Sequence, residues 1–204
     1  MARREHWDEV YRRRQPQQLS WYSPHLESSL QLIARALPRG EGCLIDVGGG
    51  SSTLVDDLLA RGYRDLEVLD VSAAALERAR ERLGPRGGAV RWRRADVTRA
   101  QLPAGAYDLW HDRALFHFLT EITERSAYLR QLRHALKPHG CVILATFAED
   151  GPASCSGLPV RRYSAETLAL ELGSGFSLED TLTQRHLTPR GVAQPFVYAC
   201  FRAR

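Results

Sequence analysis

Four short apolar runs recur along the chain, each with an acid at or next to its end, and helix-length segments separate them. They are "CLIDV" at 43–47, "LEVLDV" at 66–71, "AVRWRRADV" at 89–97 and "YDLWHD" at 107–112. A fifth run, "CVILATF" at 141–147, carries no acid. Between them, "STLVDDLLARG" and "SAAALERARERLG" hold apolar residues at helical spacing and close on Gly62 and Gly84. Strand–helix alternation at this period forms βαβ units, and those units build a mostly parallel sheet. Two later runs, "FSLEDTLTQRHL" and "PFVYACFRAR", have no helix between them, so they read as an antiparallel edge hairpin. The spacing therefore predicts an α/β, Rossmann-like sheet of seven strands with helices on both faces.

The flanking segments complete the reading. "SPHLESSLQLIARAL" reads as a helix capped by Ser23, with Pro24 in its first turn and Leu26, Leu30, Ile33 and Leu37 on one face. "ALFHFLTEITERSAYLRQLRHALKPHG" keeps helical spacing from Ala114 to Pro138 and Gly140. One domain is expected over 1–204: a cap segment and helix at 1–38, a ligand-binding half at 39–148, and a loop, helix and hairpin at 149–204.

Composition excludes several classes. With 44% hydrophobic and 25% charged residues the chain is globular in kind. No apolar stretch approaches the roughly 20 residues that span a bilayer, and "MARREHWDEVYRRR" has no apolar signal core, so a cytoplasmic protein is expected. The net charge is +4, yet Lys137 is the only lysine; this arginine bias reads as bacterial, GC-rich coding. The densest basic runs, 12–14 and 91–94, have acids close by and read as solvated faces. Cys43, Cys141, Cys155 and Cys200 form no Cys-x-x-Cys pair, so no metal site is expected. Cys155 reads as a loop residue and the other three as small core residues.

In an open parallel sheet, ligands bind beyond the carboxyl ends of the strands. "DVGGGSS" lies there, following the first strand and opening a helix. Its glycines let the backbone turn sharply and approach a ligand. Asp46 precedes them, where a carboxylate repels a pyrophosphate and suits a cation. Asp70 ends the second strand, in position to take two ribose hydroxyls, and Asp96 ends the third, within reach of an adenine edge. Each acid alone is equally a turn former; three at successive strand ends after a glycine loop point to a ligand.

These features resemble the class I S-adenosylmethionine-dependent methyltransferases from about residue 40 to the C-terminus. The motifs are "DVGGGSS", "VLDVS", "ADV", "YDLWHDRA" and "LKPHGCVILATF". The resemblance implies S-adenosylmethionine as cofactor and S-adenosylhomocysteine as product. It implies that Gly48 and Gly50 lie under the methionine part, with Gly49 among the cofactor-binding residues. Asp70 and Val71 would then line the ribose, with Asp96 and Val97 at the adenine. Gly49 stands where Cys is common and Ser52 where a third glycine is common. Trp21 and Tyr22 either fold over this cofactor or pack as core.

"WHDRALFHFL" follows the fourth strand. His111 is expected at the strand tip, Asp112 as a helix cap, and Arg113 and His117 on one helix face, four residues apart. "WHDRALF" resembles the Asp-Arg/Lys-Gly/Ala stretch of thiopurine-type small-molecule methyltransferases, and protein-lysine methyltransferases carry a related one. The resemblance implies a small-molecule acceptor, a thiol or other soft atom, with Arg113 holding an anionic part and His117 or His111 assisting deprotonation. A protein methyltransferase acting on a lysine or N-terminus is the alternative; a non-catalytic cofactor module is a third reading. No Asn/Asp-Pro-Pro-aromatic tetrad, Pro-Cys nucleophile or appended RNA-binding domain points to nucleic acid. Cys155, Arg161 and Arg162 in the loop 149–163, and His186, are further candidates for the site wall. Oligomeric state is left open.

Overall fold

The computed structural model describes residues 2–204. Its helices are α1 (Ala2–Arg13), α2 (Glu27–Ala36), α3 (Leu54–Ala60), α4 (Ala73–Leu83), α5 (Ile122–Ala135) and α6 (Ala165–Leu172). The first four apolar runs form β1 (Leu44–Val47), β2 (Leu66–Asp70), β3 (Val90–Arg94) and β4 (Tyr107–Arg113). The fifth is β5 (Leu136–Phe147), followed by a two-residue hairpin, β6 (Ser154–Cys155) and β7 (Leu158–Pro159). The closing strands are β8 (Phe176–Leu187) and β9 (Ala193–Ala203). One seven-stranded sheet runs β3-β2-β1-β4-β5-β9-β8. Its first five strands are parallel and the last two join antiparallel, as the run of elements predicts. The reversal of strand order beside β1 and β4 opens a crevice at their carboxyl ends.

Period-two alternation divides the sheet between two cores. Leu44 faces a core with α2 and α3; Ile45 and Val47 face one with α5 and α6. On β4 the same rule sends neighbouring polar residues apart. His111 meets Ser29 of α2, whereas Asp112 meets Tyr128 of α5.

Several sequence expectations differ from the structure. First, α2 begins at Glu27, not after Ser23. The Ser23 hydroxyl donates to the His25 carbonyl at 2.6 Å, and its own carbonyl accepts from Thr53 Oγ1 at 2.9 Å, so it is spent in a turn rather than a cap. Second, the helical spacing after Ala114 is not one helix. Ala114 takes a left-handed φ of 69° and a single 3-10 turn covers Phe116–Phe118 before α5 starts. The guanidinium of Arg125 fixes the break by donating to the carbonyls of Leu119 and Thr120 at 3.1 and 2.8 Å. β5 also starts earlier than "CVILATF", at Leu136, with a register shift against β4. Third, Cys155 lies on the β6–β7 hairpin rather than in a plain loop.

The basic run of β3 is internally neutralised. Arg91 and Arg93 both pair with Glu67, which is 3% exposed, and Arg94 pairs with Asp8 at 3.5 Å. The hydroxyl of Tyr107 also donates to Glu67. Among the described residues no helix is long and apolar enough to cross a membrane, and no cluster of three His, Cys, Asp or Glu could hold a metal ion.

Candidate active site

Two adjoining cavities open at the carboxyl ends of the parallel strands. The larger encloses about 870 Å³ and the smaller about 480 Å³, each counted with its open mouth. Tyr11, Trp21, Gly48 and Arg113 line both.

At one end of the larger cavity stand the residues that follow β2 and β3. Asp70, Val71, Asp96 and Val97 all line it. Asp70 Oδ1 accepts from the Ser72 N–H at 2.8 Å. Burial, reinforced by the charges of Asp46 and Asp8, pushes the Asp70 carboxyl up to about 7 against the N–H groups of Ser72 and Gly50. Asp96 Oδ1 accepts from the N–H and hydroxyl of Thr98, which fixes the turn beyond β3.

The smaller cavity holds the glycine loop with Asp46, Gly48, Gly49 and His111, and Tyr22 at its rim. Gly48 and Gly50 have φ of 72° and 52°, where a side chain is strained. A Cβ on Gly50 would stand 2.5 Å from the Tyr11 hydroxyl and 3.2 Å from Asp70; one on Gly49 would collide with Asp46. This bare floor, with a carboxylate at each end, fits a ligand that carries vicinal hydroxyls and a cationic group.

Asp46 is held from below. His111 Nδ1 lies 2.7 Å from Asp46 Oδ1, and His111 Nε2 lies 2.9 Å from Ser29 Oγ. The geometry is that of a Ser-His-Asp relay, but Ser29 is fully buried and lines neither cavity. It therefore orients the imidazole instead of acting as a nucleophile. Sequence reading found His111 and Asp46 and missed Ser29, whose only signal is a small polar residue on the buried face of α2.

Arg113 ends β4 and reaches the far end of the larger cavity. Its Nε donates to the Tyr198 hydroxyl at 3.0 Å, its Nη1 donates to the Trp21 carbonyl at 3.1 Å, and its guanidinium lies 4.8 Å over the Phe196 ring. It has no carboxylate partner among the described residues. His117 does not share a helix face with it, because Arg113 belongs to a strand and His117 to the 3-10 turn. His117 is fully buried between Phe118 and Phe147, lines neither cavity, and accepts weakly at Nδ1 from the Phe147 N–H at 3.4 Å. Burial and the nearby Arg113 charge push it down to about 3, so it is neutral.

Distant segments close the site. Trp7 of α1 packs edge-on against Phe118 and Trp21, with ring centroids 5.1 and 5.8 Å apart. Asp8 docks α1 by accepting from the Ser72 hydroxyl at 2.7 Å and the Ala74 N–H at 3.3 Å. Of the loop candidates, Cys155 lines the larger cavity while Arg161 and Arg162 do not. His186 stays outside and holds the N-terminal segment by donating to the Ser20 carbonyl at 2.7 Å. Trp7, Tyr11, Gln194 and Phe196 line the site without a motif to announce them.

Residues 44–140 match the methyltransferase domain family. An uncharacterized methyltransferase of Mycobacterium tuberculosis is 30% identical over 57% of this chain and 56% of its own. The eEF1A lysine and N-terminal methyltransferase of Mus musculus is 26% identical over 68% of this chain, which spans only 20% of that protein. Among solved structures, one described as showing conversion of a disulfide bond into a thioacetal group during echinomycin biosynthesis shares the fold. Its TM-score is 0.78, at 21% identity, covering 98% of this chain and 92% of that one. With its strand order, its glycine loop and its acids at successive strand ends, the chain is similar to the class I S-adenosylmethionine-dependent methyltransferases, and the methyltransferase-domain match covers just under half of it.

Proposed function

We propose that the protein transfers a methyl group from S-adenosylmethionine to a small-molecule nucleophile, a thiol or another soft, acidic atom. The observation that carries this reading is the polarity of the larger cavity. Asp70 and Asp96 stand at one end, and Arg113, a cation without a carboxylate partner among the described residues, stands at the other.

Asp70 would hold the ribose hydroxyls, Asp96 and Val97 the adenine, and Asp46, steadied by His111, the methionine ammonium over Gly48 and Gly49. The bound cofactor supplies an already activated methyl group. The chain's task is then to hold the acceptor in line and exclude water. Trp7, Tyr11 and Trp21 exclude water by covering the site from the N-terminal side. Arg113 fixes an anionic acceptor and lowers the pKa of an acid bound beside it. No histidine lines the larger cavity, and His111 is engaged by Asp46 and Ser29. An acceptor that ionises near neutral pH, such as a thiol, needs no further base. His117 supports this wall from behind in its neutral form.

A lysine or N-terminal amine of a protein would meet Arg113 with like charge, which favours the small-molecule reading. The test is labelled S-adenosylmethionine offered with thiols, phenols, amines and cell extract. Label in small thiols or phenols supports the reading. Label confined to protein bands overturns it in favour of a protein acceptor.

A further inference from the structure

Arg113 carries a long side chain with many rotamers, and pointing it in one direction takes partners. Three groups do so. Its Nε donates to the Tyr198 hydroxyl at 3.0 Å, its Nη1 donates to the Trp21 carbonyl at 3.1 Å, and its guanidinium lies over the Phe196 ring. All three are neutral, so they aim the guanidinium without cancelling its charge. Tyr198 is 1% exposed and hands its own proton on, donating to Gln184 Oε1 at 2.9 Å. The pairing of β8 with β9 makes this contact. Gln184 lies opposite Phe196 and Leu182 opposite Tyr198, so Gln184 and Tyr198 are diagonal neighbours on one face of the sheet. Neither lines a cavity, so each reaches the site only through Arg113.

We propose that Tyr198 and Gln184 are positioning residues for the methyl acceptor, holding Arg113 with its charge unspent and its outer end turned to the acceptor's anionic group. The proposal rests on the methyl-transfer reading and deepens it. Donor and acceptor rules fix the direction of the chain. A guanidinium only donates, so the phenol oxygen accepts from Arg113. The single phenol proton then points at Gln184, which must offer its oxygen and not its amino group. With Nε engaged by Tyr198, the edge that Nε shares with Nη2 is closed to a two-bond grip on an anion. Nη2 itself keeps no hydrogen bond among the described residues, so the outer end of the guanidinium is left for the acceptor. A carboxylate in place of the Gln184 amide would keep the hydrogen bond to Tyr198. It would also bring a negative charge close behind Arg113 and weaken its pull on an anionic acceptor.

The test is calorimetry on protein saturated with S-adenosylhomocysteine, with 3-mercaptobenzoate and its neutral amide, 3-mercaptobenzamide, as probes. The two share a shape and differ in charge. Wild type binds the acid about tenfold tighter than the amide, the scale of a charge-assisted pair. Tyr198→Phe keeps the ring and removes the acceptor for Nε. Its preference for the acid falls within threefold, while its affinities for the amide and for S-adenosylhomocysteine stay within threefold of wild type. Gln184→Glu separates positioning from plain support: it keeps an acceptor for Tyr198, and its preference still falls within threefold. Gln184→Leu takes the place of Tyr198→Phe if that variant does not fold, with the same result expected. A preference that survives in these variants, a loss of amide affinity that matches the loss of acid affinity, no preference in wild type, or no binding of either probe overturns the inference while leaving the methyl-transfer reading standing. Wild type failing to bind S-adenosylhomocysteine overturns that reading, and the inference with it.

Discussion

The two ends of the larger cavity are built in different ways. The acidic end comes from neighbouring strand tips of a parallel sheet, where Asp70 ends β2 and Asp96 follows β3, each within a few residues of a turn. The acceptor end joins Arg113 of β4, Phe147 of β5, Gln194 and Phe196 of β9, Trp7 of α1 and Cys155 of a hairpin. The first is local and repetitive; the second depends on long-range closure. Changes at the acidic end should therefore strike cofactor binding, and changes at the acceptor end should spare it.

The largest effect is expected at Gly50. In Gly50→Ala the new methyl would crowd Tyr11 and Asp70 at a φ of 52°. S-adenosylhomocysteine affinity should fall a hundredfold or more by calorimetry. Gly62→Ala is the control: its φ is 93° with nothing within 4 Å, so it should cost stability alone, about 1 kcal/mol by chemical denaturation. Comparable binding losses in both variants would break the distinction between a cradle and mere backbone strain.

Next in size, Arg113→Met should raise the acceptor KM by tenfold to a hundredfold in steady-state transfer assays, while cofactor affinity stays within threefold. A matching loss of cofactor affinity would mean that Arg113 serves the acidic end.

Titration sharpens the comparison further. The folded, cofactor-free Asp70 titrates near 7, above the 3.8 of the unfolded chain. The folded state thus holds this proton more tightly than the unfolded one. Stability from this group is full below about pH 4, declines as pH rises to 7 and is flat above. Cofactor binding has the opposite sign, because ribose hydroxyls donate to the ionised carboxylate. Affinity should rise with pH through 7 and be about tenfold weaker at pH 6 than on the alkaline plateau. A pH-independent affinity between 6 and 8 would remove Asp70 from the cofactor site.

The smallest effect concerns closure. Asp8→Ala removes the acceptor that docks α1 on Ser72 and Ala74. It should weaken S-adenosylhomocysteine a fewfold, chiefly through faster dissociation in stopped-flow fluorescence of Trp7 and Trp21. An unchanged dissociation rate would deny α1 a covering role.

The same contrast explains what the sequence reveals. Parallel βαβ units place strand-end residues at fixed positions, so Asp46, Gly48, Asp70 and Asp96 are legible from pattern, whereas Val71 and Val97 enter only through the family resemblance; all six line the two cavities. "WHDRALFHFL" is only half legible. Strand alternation sends His111 and Asp112 to opposite cores. The Asp112 carboxylate, accepting from the Leu115 and Phe116 N–H groups and the Tyr128 hydroxyl, turns the chain too tightly for a helix. Helical spacing therefore pairs Arg113 with His117 on paper, while the turn buries His117 behind Phe118 and Phe147. Gln194 and Trp7 carry no motif, because their place in the site depends on which edge β9 and α1 join.

The most direct measurement is calorimetric titration of S-adenosylhomocysteine into wild type, Asp70→Ala and Arg113→Met. The account predicts binding to wild type, loss of a hundredfold or more in Asp70→Ala, and affinity within threefold of wild type in Arg113→Met. Absence of binding to wild type, or equal losses in both variants, would contradict a cavity with a cofactor at its acidic end and an acceptor at Arg113.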